Sequence, residues 1–261
     1  MGILIHNVVA IYRKELQSYF ASPLAYVIAG VFWLLAGLFF VVILGTAIQQ
    51  VATLDLQGQQ PVDLPTIVLQ GFLQVMGTLG LMILPILSMG LYAEERKRGT
   101  LELLATSPIT NWAIALGKWL GVLTFFTTLV VPLLIYEAIA FSAANPPVRP
   151  WVMLVGHGGL ILLAAAVLSL GMFISSLTES SILAAILTFA LVLVLWVLDL
   201  IGQNFGGPVG AALNHLSLLK HYTNLSQGVI DTSSLILFAS YILLGIYLTA
   251  QSIHALRFQR S

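Results

Sequence analysis

Long apolar runs, separated by short polar segments, dominate the pattern of residues along the chain. Six of these runs reach or exceed the roughly 18–20 residues that a helix needs to cross the hydrocarbon core of a bilayer. The pattern therefore predicts an all-α integral membrane protein with six transmembrane helices. The predicted spans cover residues 24–48, 65–91, 112–141, 151–177, 181–201 and 234–256.

The segment before the first span has a different pattern. Over residues 3–20 apolar side chains recur at helical spacing, while polar residues such as Arg13 and Lys14 occupy the opposite face. This predicts an amphipathic helix that lies in the membrane interface. An ordinary juxtamembrane helix and a helix that docks a partner protein fit the pattern equally well. Glu15 falls at the edge of the apolar face, so we expect a partner cation on segment 92–111 or on another subunit.

A dense group of charges lies between the second and third spans, in segment 92–111. A glycine follows five consecutive charged residues, and Thr100 can then cap a short helix over Leu101–Ala105 with Glu102 in its first turn. Pro108 ends that helix. The segment is predicted to lie across the membrane surface and to offer charges and a leucine face to a partner. The residues of this predicted docking surface are Glu94, Glu95, Arg96, Arg98, Gly99, Thr100, Leu101, Glu102, Leu103, Leu104 and Pro108.

Residues 202–233 break the apolar pattern after the fifth span. Three glycines and a proline interrupt the helical periodicity, and Ala211 to Gln227 is helical in pattern but too short and too polar to span. Because backbone inside a bilayer must satisfy its own hydrogen bonds, this segment predicts a pair of re-entrant or interfacial helices. Gly202-x-x-x-Gly206 is interpreted as the helix break, whereas Gly117-x-x-x-Gly121 lies within a helix and is a candidate close-packing motif.

Lysine and arginine residues are distributed unevenly between the two sides of the predicted membrane. With six spans both termini share one side, and of the ten basic residues only Arg149 and Lys220 fall on the other. An excess of basic residues marks the cytoplasmic side of membrane proteins. The termini and segment 92–111 are therefore predicted to be cytoplasmic. The segments predicted to be extracytoplasmic are 49–64, 142–150 and 202–233.

Composition narrows the class of protein further. Hydrophobic residues make up 59% of the chain and charged residues 8%, whereas in soluble domains about a quarter of the residues are charged. A net charge of zero gives no electrostatic case for nucleic-acid binding, and the lack of cysteines excludes thiolate metal sites. Gly117-Lys118 lacks the flanking residues of a phosphate-binding loop, so no catalytic residue, cofactor or metal is predicted in this chain. Lys118 is interpreted as a lysine that reaches out to the cytoplasmic interface.

Two acidic residues are predicted at or near membrane depth, where an ionised side chain is costly and usually functional. Glu137 lies in the outer half of the third span and Asp199 near the outer end of the fifth. Both are candidates for a translocation path; the alternative is that water reaches them at the outer interface. For Glu137 we expect surroundings of protein or a water-filled cleft rather than lipid, and we favour a cavity between two protomers.

Three motifs, in order along the whole chain, resemble those of ABC-2 type transporter permeases. The first resembles the N-terminus of that family and the second its cytoplasmic coupling segment, while the third is similar to a motif of the gliding-motility and nitrous-oxide-maturation type branch. The motifs are Arg13-Lys14-Glu15-Leu16 followed by Ser22-Pro23; Glu94 to Leu104 followed by Ser107-Pro108; and Gly228-Val229-Ile230-Asp231.

The resemblance implies a single ABC-2 type transmembrane domain over residues 1–261, which dimerises with a second permease protomer, identical or not. ATP and Mg would bind a separate cytoplasmic ABC ATPase subunit. Segment 92–111 would be the coupling helix that fits a cleft in that ATPase, with the N-terminal helix alongside. Segment 202–233 would close the pathway on the outer side, where an accessory protein is a further expected partner. The implied location is the bacterial inner membrane, in contact with lipid.

The resemblance leaves the cargo open. Members export drugs, polysaccharides or lipids, so the function expected is export driven by ATP hydrolysis on the partner. One alternative is a force-transmitting membrane scaffold that uses the same ATPase and carries no substrate. A less favoured alternative is an ion-coupled secondary transporter, which predicts paired charges near the midplane and internal repeats, and the sequence shows neither.

Overall fold

The computed structural model describes residues 2–56, 63–101, 109–142, 144, 148–204 and 207–258, and all regular secondary structure among them is helical. The predicted all-α fold is therefore confirmed. The helices, numbered in chain order, are α1 (Gly2–Ala21), α2 (Pro23–Leu56), α3 (Leu64–Ser88), α4 (Gly90–Lys97), α5 (Asn111–Ser142), α6 (Pro150–Leu177), α7 (Ser181–Asn204), α8 (Gly207–Leu216), α9 (Leu218–Ser226) and α10 (Thr232–Phe258).

Six helical segments among these residues are long and apolar enough to cross a membrane, which confirms the six predicted spans by length and composition. They are Pro23–Gln50, Leu64–Lys97, Asn111–Ser142, Pro150–Leu177, Ser181–Leu198 and Thr232–Ala255. The largest difference in boundaries concerns the second span, for which the apolar pattern predicts an end at residue 91. In the structure α4 continues this span to Lys97, so the charged residues extend a helix instead of forming a connection.

Helix α6 lies at the centre of the bundle. In its most apolar stretch 72% of the residues are buried, compared with 17% for α2 and for α7. Small residues on α6 let its neighbours approach closely: a Cβ atom at Gly159 would lie 2.7 Å from the Cβ of Leu225 in α9. Helices α2 and α7 instead expose many large apolar side chains, as expected of helices that face lipid.

Helix α1 crosses α5 at two glycines. A Cβ atom at Gly117 would lie 2.8 Å from Ile11, and one at Gly121 would lie 2.7 Å from Glu15. Because distances this short leave no room for a side chain, the candidate close-packing motif is confirmed, and the helix that packs on it is α1. Helix α1 is therefore part of the packed bundle. Its position relative to a membrane interface stays a prediction.

The connection between α7 and α10 contains the two short helices α8 and α9. Gln74 of α3 donates a hydrogen bond to Thr223 of α9 at 3.0 Å, and the Tyr222 hydroxyl donates to the carbonyl oxygen of Leu73. These bonds fix α9 against the transmembrane helices. The predicted helix pair within residues 202–233 is confirmed, and its depth in a membrane stays a prediction.

The interpretation of Gly202-x-x-x-Gly206 as the helix break is confirmed, because α7 ends at Asn204, inside this stretch, and α8 begins at Gly207. A Cβ atom at Gly202 would lie 2.9 Å from the backbone nitrogen of Asn214 in α8. The glycine therefore allows α8 to fold back closely against α7. The turn itself uses Gly207, whose φ of +79° lies in the left-handed region that favours glycine. Gly206 lies outside the described residues.

Candidate functional site

Charged residues of α1, α4 and α5 meet at one end of the bundle, which we call the α4 end. Lys118 of α5 lies at the centre, with its Nζ 3.1 Å from Oε2 of Glu15 on α1 and 3.0 Å from Oε1 of Glu95 on α4. Lys14 approaches Glu95 from the outer side, at 3.8 Å. Although Lys118 is only 3% exposed, two ammonium groups balance two carboxylates here. Such balance offsets the desolvation cost of burying charge.

This charge cluster corrects two interpretations from the sequence. Lys118 does not reach out to an interface; it is buried, because its glycine neighbours let α1 cross α5 beside it. Glu15 does have the partner cation that its position predicts. That cation, however, is Lys118 of the same chain, so the expectation of a partner on segment 92–111 or on another subunit is wrong.

The second span is interrupted at Met89, between α3 and α4. Side chains from three other helices donate hydrogen bonds to carbonyl oxygens on either side of this interruption, and we call these three donors the collar. They are Tyr19 of α1, which donates to Leu87 at 2.6 Å; Ser175 of α6, which donates to Met89 at 2.7 Å; and Lys118 of α5, which donates to Leu91 at 2.8 Å.

Two members of the collar are held in a donating state by their surroundings. Burial raises the pKa of the Tyr19 hydroxyl well above its ordinary value, and the nearby carboxylates of Glu15 and Glu94 raise it further. The phenol therefore keeps its proton. The Ser175 hydroxyl also accepts from the backbone nitrogens of Tyr92 at 3.1 Å and Ala93 at 3.0 Å, which leaves its own proton for Met89.

The opposite face of α4 is bound to the end of α6. The Arg96 guanidinium donates from Nη1 to the carbonyl oxygen of Ser176 at 2.9 Å, and its Nε lies 3.7 Å from Oε1 of Glu179. A cation beside the last carbonyl groups of a helix is stabilised by the helix dipole. Helix α4 is therefore attached to α1 and α5 on one side and to α6 on the other.

The predicted helix end at Gly99 is confirmed, since Gly99 has a φ of +68° directly after the last residues of α4. Thr100 is itself helical, instead of the predicted cap before Leu101, and its hydroxyl donates back to the carbonyl oxygen of Glu95 at 3.2 Å. Leu101 is buried against the hydrophobic core. The remaining residues of the predicted docking surface, Glu102, Leu103, Leu104 and Pro108, lie outside the described residues.

A groove runs between α1 and α4 at the α4 end. It contains a cavity of about 490 Å³ that adjoins a smaller one of about 130 Å³. The larger cavity brings together residues of α1, the charged segment and α5, of which Lys14 and Lys118 are more than a hundred positions apart in the sequence. Its charged lining consists of Lys14, Glu15, Glu94, Glu95, Arg98 and Lys118.

A family model for ABC-2 family transporter proteins matches residues 9–261 of the chain. The chain belongs to this family. Members are transmembrane permease subunits that are generally not catalytic themselves and generally work with an ATPase subunit, and a multi-pass membrane protein with six spans agrees with that class. The match is to the family as a whole and does not single out a branch. No curated protein was found to match the chain.

At the other end of α5 this permease buries a second pair of ionisable side chains. Glu137 is fully buried, and its Oε1 lies 3.5 Å from Nε2 of His157 on α6. His157 Nδ1 lies 2.9 Å from the carbonyl oxygen of Met153, which can only accept, so Nδ1 carries a proton. If Nε2 carried no proton, its lone pair would face the negatively charged oxygen of an ionised Glu137, and the two would repel each other. The pair therefore holds one further proton, on the ring or on the carboxyl group.

The environment of Glu137 agrees in part with the sequence analysis. Protein surrounds it and its partner comes from another span, as expected. The preferred cavity between protomers is wrong, because a single chain already buries this residue completely against α6. Asp199 lies on α7, and its side chain is outside the described part of the chain.

Sequence reasoning missed three residues that organise these two sites in the permease. Tyr19 and Ser175 carry no pattern that distinguishes them from other polar residues in helices, and His157 lies among glycines without any nearby acid in the sequence. A signal did exist for Lys118. It is a lysine within a close-packing glycine motif, and a helix that packs there must cover the lysine or pair with it.

Proposed function

We propose that this chain is the permease subunit of an ABC-2 exporter and that its α4 end docks a separate cytoplasmic ATPase subunit. The observation that carries the proposal is the convergence of α1, α4 and the start of α5 on one charged groove. The exposed charges of Lys14, Glu94 and Arg98 at this groove are available to a protein partner. Segment 98–111, which follows α4 directly, would enter a cleft in the ATPase.

The connection from this groove to the bundle supports a coupling role. Helix α4 is bonded to α6 through Ser175 and Arg96, and α6 is the most buried helix of the bundle. A displacement of α4 by a partner would therefore reach the centre of the bundle through direct contacts. Rigid helices pass such displacements to distant interfaces when they have alternative arrangements.

The full proposal places the α4 end and both termini in the cytoplasm and α8 and α9 on the outer side of a bacterial inner membrane. Two permease protomers, identical or different, pair in the membrane, and ATP and Mg bind the two ATPase subunits. An outer accessory protein is a further proposed partner. The finer assignment to the gliding-motility and nitrous-oxide-maturation type branch rests on Gly228 to Asp231 alone.

Site-specific photo-cross-linking in the native cell tests the docking surface. A benzoylphenylalanine at Arg98 should cross-link to a protein that mass spectrometry identifies as an ABC ATPase by its phosphate-binding loop. The same probe at Lys220, an exposed lysine of α9, should not. Cross-linking of the ATPase at Lys220 instead of Arg98, or at neither position, would contradict the proposal.

Cysteine labelling tests the orientation independently, because the chain has no cysteine of its own. A single cysteine at Gln57 should react with a membrane-impermeant maleimide in intact cells, whereas one at Arg98 should react only after the cells are opened. Reaction at Arg98 in intact cells would reverse the proposed topology.

A further inference from the structure

We propose, on the basis of the function proposed above, that the interruption at Met89 is a hinge between α3 and α4 and that Ser175 is the positioning residue that sets its resting angle. Helix α4 would swing on this hinge when a partner moves the segment after it. The inference concerns how motion enters the bundle and rests on hydrogen bonds that join five helices at one turn.

Ser175 holds both arms of the hinge at once. Its hydroxyl donates to the carbonyl oxygen of Met89 and accepts from the backbone nitrogens of Tyr92 and Ala93. In an uninterrupted helix, Tyr92 would donate to the carbonyl oxygen of Ser88. A side chain that inserts into this ladder of bonds is an established cause of helix kinks. With one donor and two acceptor positions in use, the hydroxyl is fully occupied.

The other two members of the collar each hold one arm. Tyr19 binds Leu87 on the α3 side, and Lys118 binds Leu91 on the α4 side. Backbone groups freed by a helix interruption at membrane depth must find partners in neighbouring helices. The collar supplies such partners from α1, α5 and α6. The interruption is thus built into the bundle, with donors placed on both sides of the junction.

The position of Ser175 is itself fixed by close packing. One turn earlier on α6, Gly171 lies directly against Ser88 at the end of α3, and a Cβ atom there would also lie 3.0 Å from Thr188 of α7. One residue later, the carbonyl oxygen of Ser176 accepts from Arg96 of α4. Helix α6 therefore contacts α3 before the hinge and α4 after it, and Ser175 lies between these contacts.

Distance measurements between spin labels on the isolated permease test the hinge. We choose cysteines at Lys97 on α4 and Gln251 on α10, which are both exposed at the α4 end. If Ser175→Ala frees the hinge, a change of about 20° in its angle over the roughly 12 Å length of α4 moves the tip of α4 by up to about 4 Å. We expect a shift of that size in the mean distance, or a clear broadening of the distribution.

Two variants control for a merely structural effect. Ser169→Ala removes another buried serine of α6, one that donates to the carbonyl oxygens of Ala166 and Tyr241 and not to that of Met89. It should leave the distance unchanged, and Ser175→Thr, which keeps the hydroxyl, should restore the wild-type distance. A distribution for Ser175→Ala that superimposes on the wild type, or an equal shift in Ser169→Ala, would overturn the proposal.

Hydrogen exchange in the unaltered chain provides a test that does not depend on the variant folding. The amides of Tyr92 and Ala93 should exchange slowly, because Ser175 binds both. Exchange as fast as at the exposed residues 98–100 would contradict the proposed restraint. These measurements use the permease alone, so their failure is distinguishable from a failure of ATPase docking in the cross-linking experiment.

Discussion

Helix α5 carries a buried ionisable side chain near each end, and the two sites differ in the partners that they give it. Lys118 and Glu137 are 19 residues apart, or about 28 Å along a helix. Lys118 makes three polar contacts of 3.1 Å or less, to Glu15, Glu95 and the carbonyl oxygen of Leu91. Glu137 has one contact, at 3.5 Å to His157, and neither of its oxygens has a hydrogen-bond partner among the described residues.

This difference indicates that the two sites have different roles. The cluster around Lys118 stabilises the fold, whereas the Glu137–His157 pair can change the position of its proton. If Lys118, Glu15 or Glu95 were removed alone, the remaining charges would be buried without compensation. The cluster is therefore stable only when all three side chains are present. The Glu137–His157 pair can instead become neutral if its shared proton moves from the histidine ring to the carboxyl group. We infer that the cluster is structural, and that the pair retains capacity for a further hydrogen bond. Three substitutions test this comparison, in order of decreasing effect on stability.

The largest expected effect follows Lys118→Met. The substitution leaves the carboxylates of Glu15 and Glu95 largely buried, with the exposed Lys14 3.8 Å from Glu95, which should cost about 3–5 kcal/mol of folding free energy. The loss should appear as a large fall in the thermal midpoint of the detergent-purified protein. Lys220→Met, at an exposed lysine, should change stability by less than about 0.5 kcal/mol.

A combined variant identifies the cause of that loss. Adding Glu15→Gln and Glu95→Gln to Lys118→Met removes the uncompensated charges and should recover at least half of the stability. If the combined variant is no more stable than Lys118→Met alone, packing and not charge balance explains the effect of Lys118. The cluster would then no longer contrast with Glu137.

The extent to which the sequence predicts these two sites depends on the range of the interactions. The spans, the helix end before Gly99 and the presence of two short helices between α7 and α10 follow from local patterns of apolar residues and glycine, and they are confirmed. Which charges pair is decided by helix crossings, as when α1 passes over Gly117 and brings Glu15 to Lys118. Contacts that join residues a hundred positions apart leave no periodicity in the sequence, so the collar could not be predicted.

A smaller effect on stability is expected for Glu137→Gln. The amide can donate to Nε2 of a neutral His157, so no charge is left buried. We expect the folding free energy to change by less than about 1 kcal/mol. Transport by the assembled complex should nevertheless fall if the carboxylate serves the translocation path. A loss of stability as large as that of Lys118→Met would place both sites in the same structural class.

The smallest effect on stability is expected for Arg98→Ala. This variant tests whether the stability that a charged residue contributes at the α4 end depends on its burial or only on its charge. Arg98 and Glu94 form an exposed pair 3.6 Å apart on one helical face, with side chains 74% and 55% exposed. Such pairs contribute about 0.3–0.5 kcal/mol, so Arg98→Ala should leave the thermal midpoint almost unchanged. Arg96, two residues earlier, is the matched control: it binds Ser176 of α6, and Arg96→Ala should cost about 1–3 kcal/mol. Equal losses in the two variants would mean that the exposed charges at this end also support the fold, and they would no longer be free for a partner subunit.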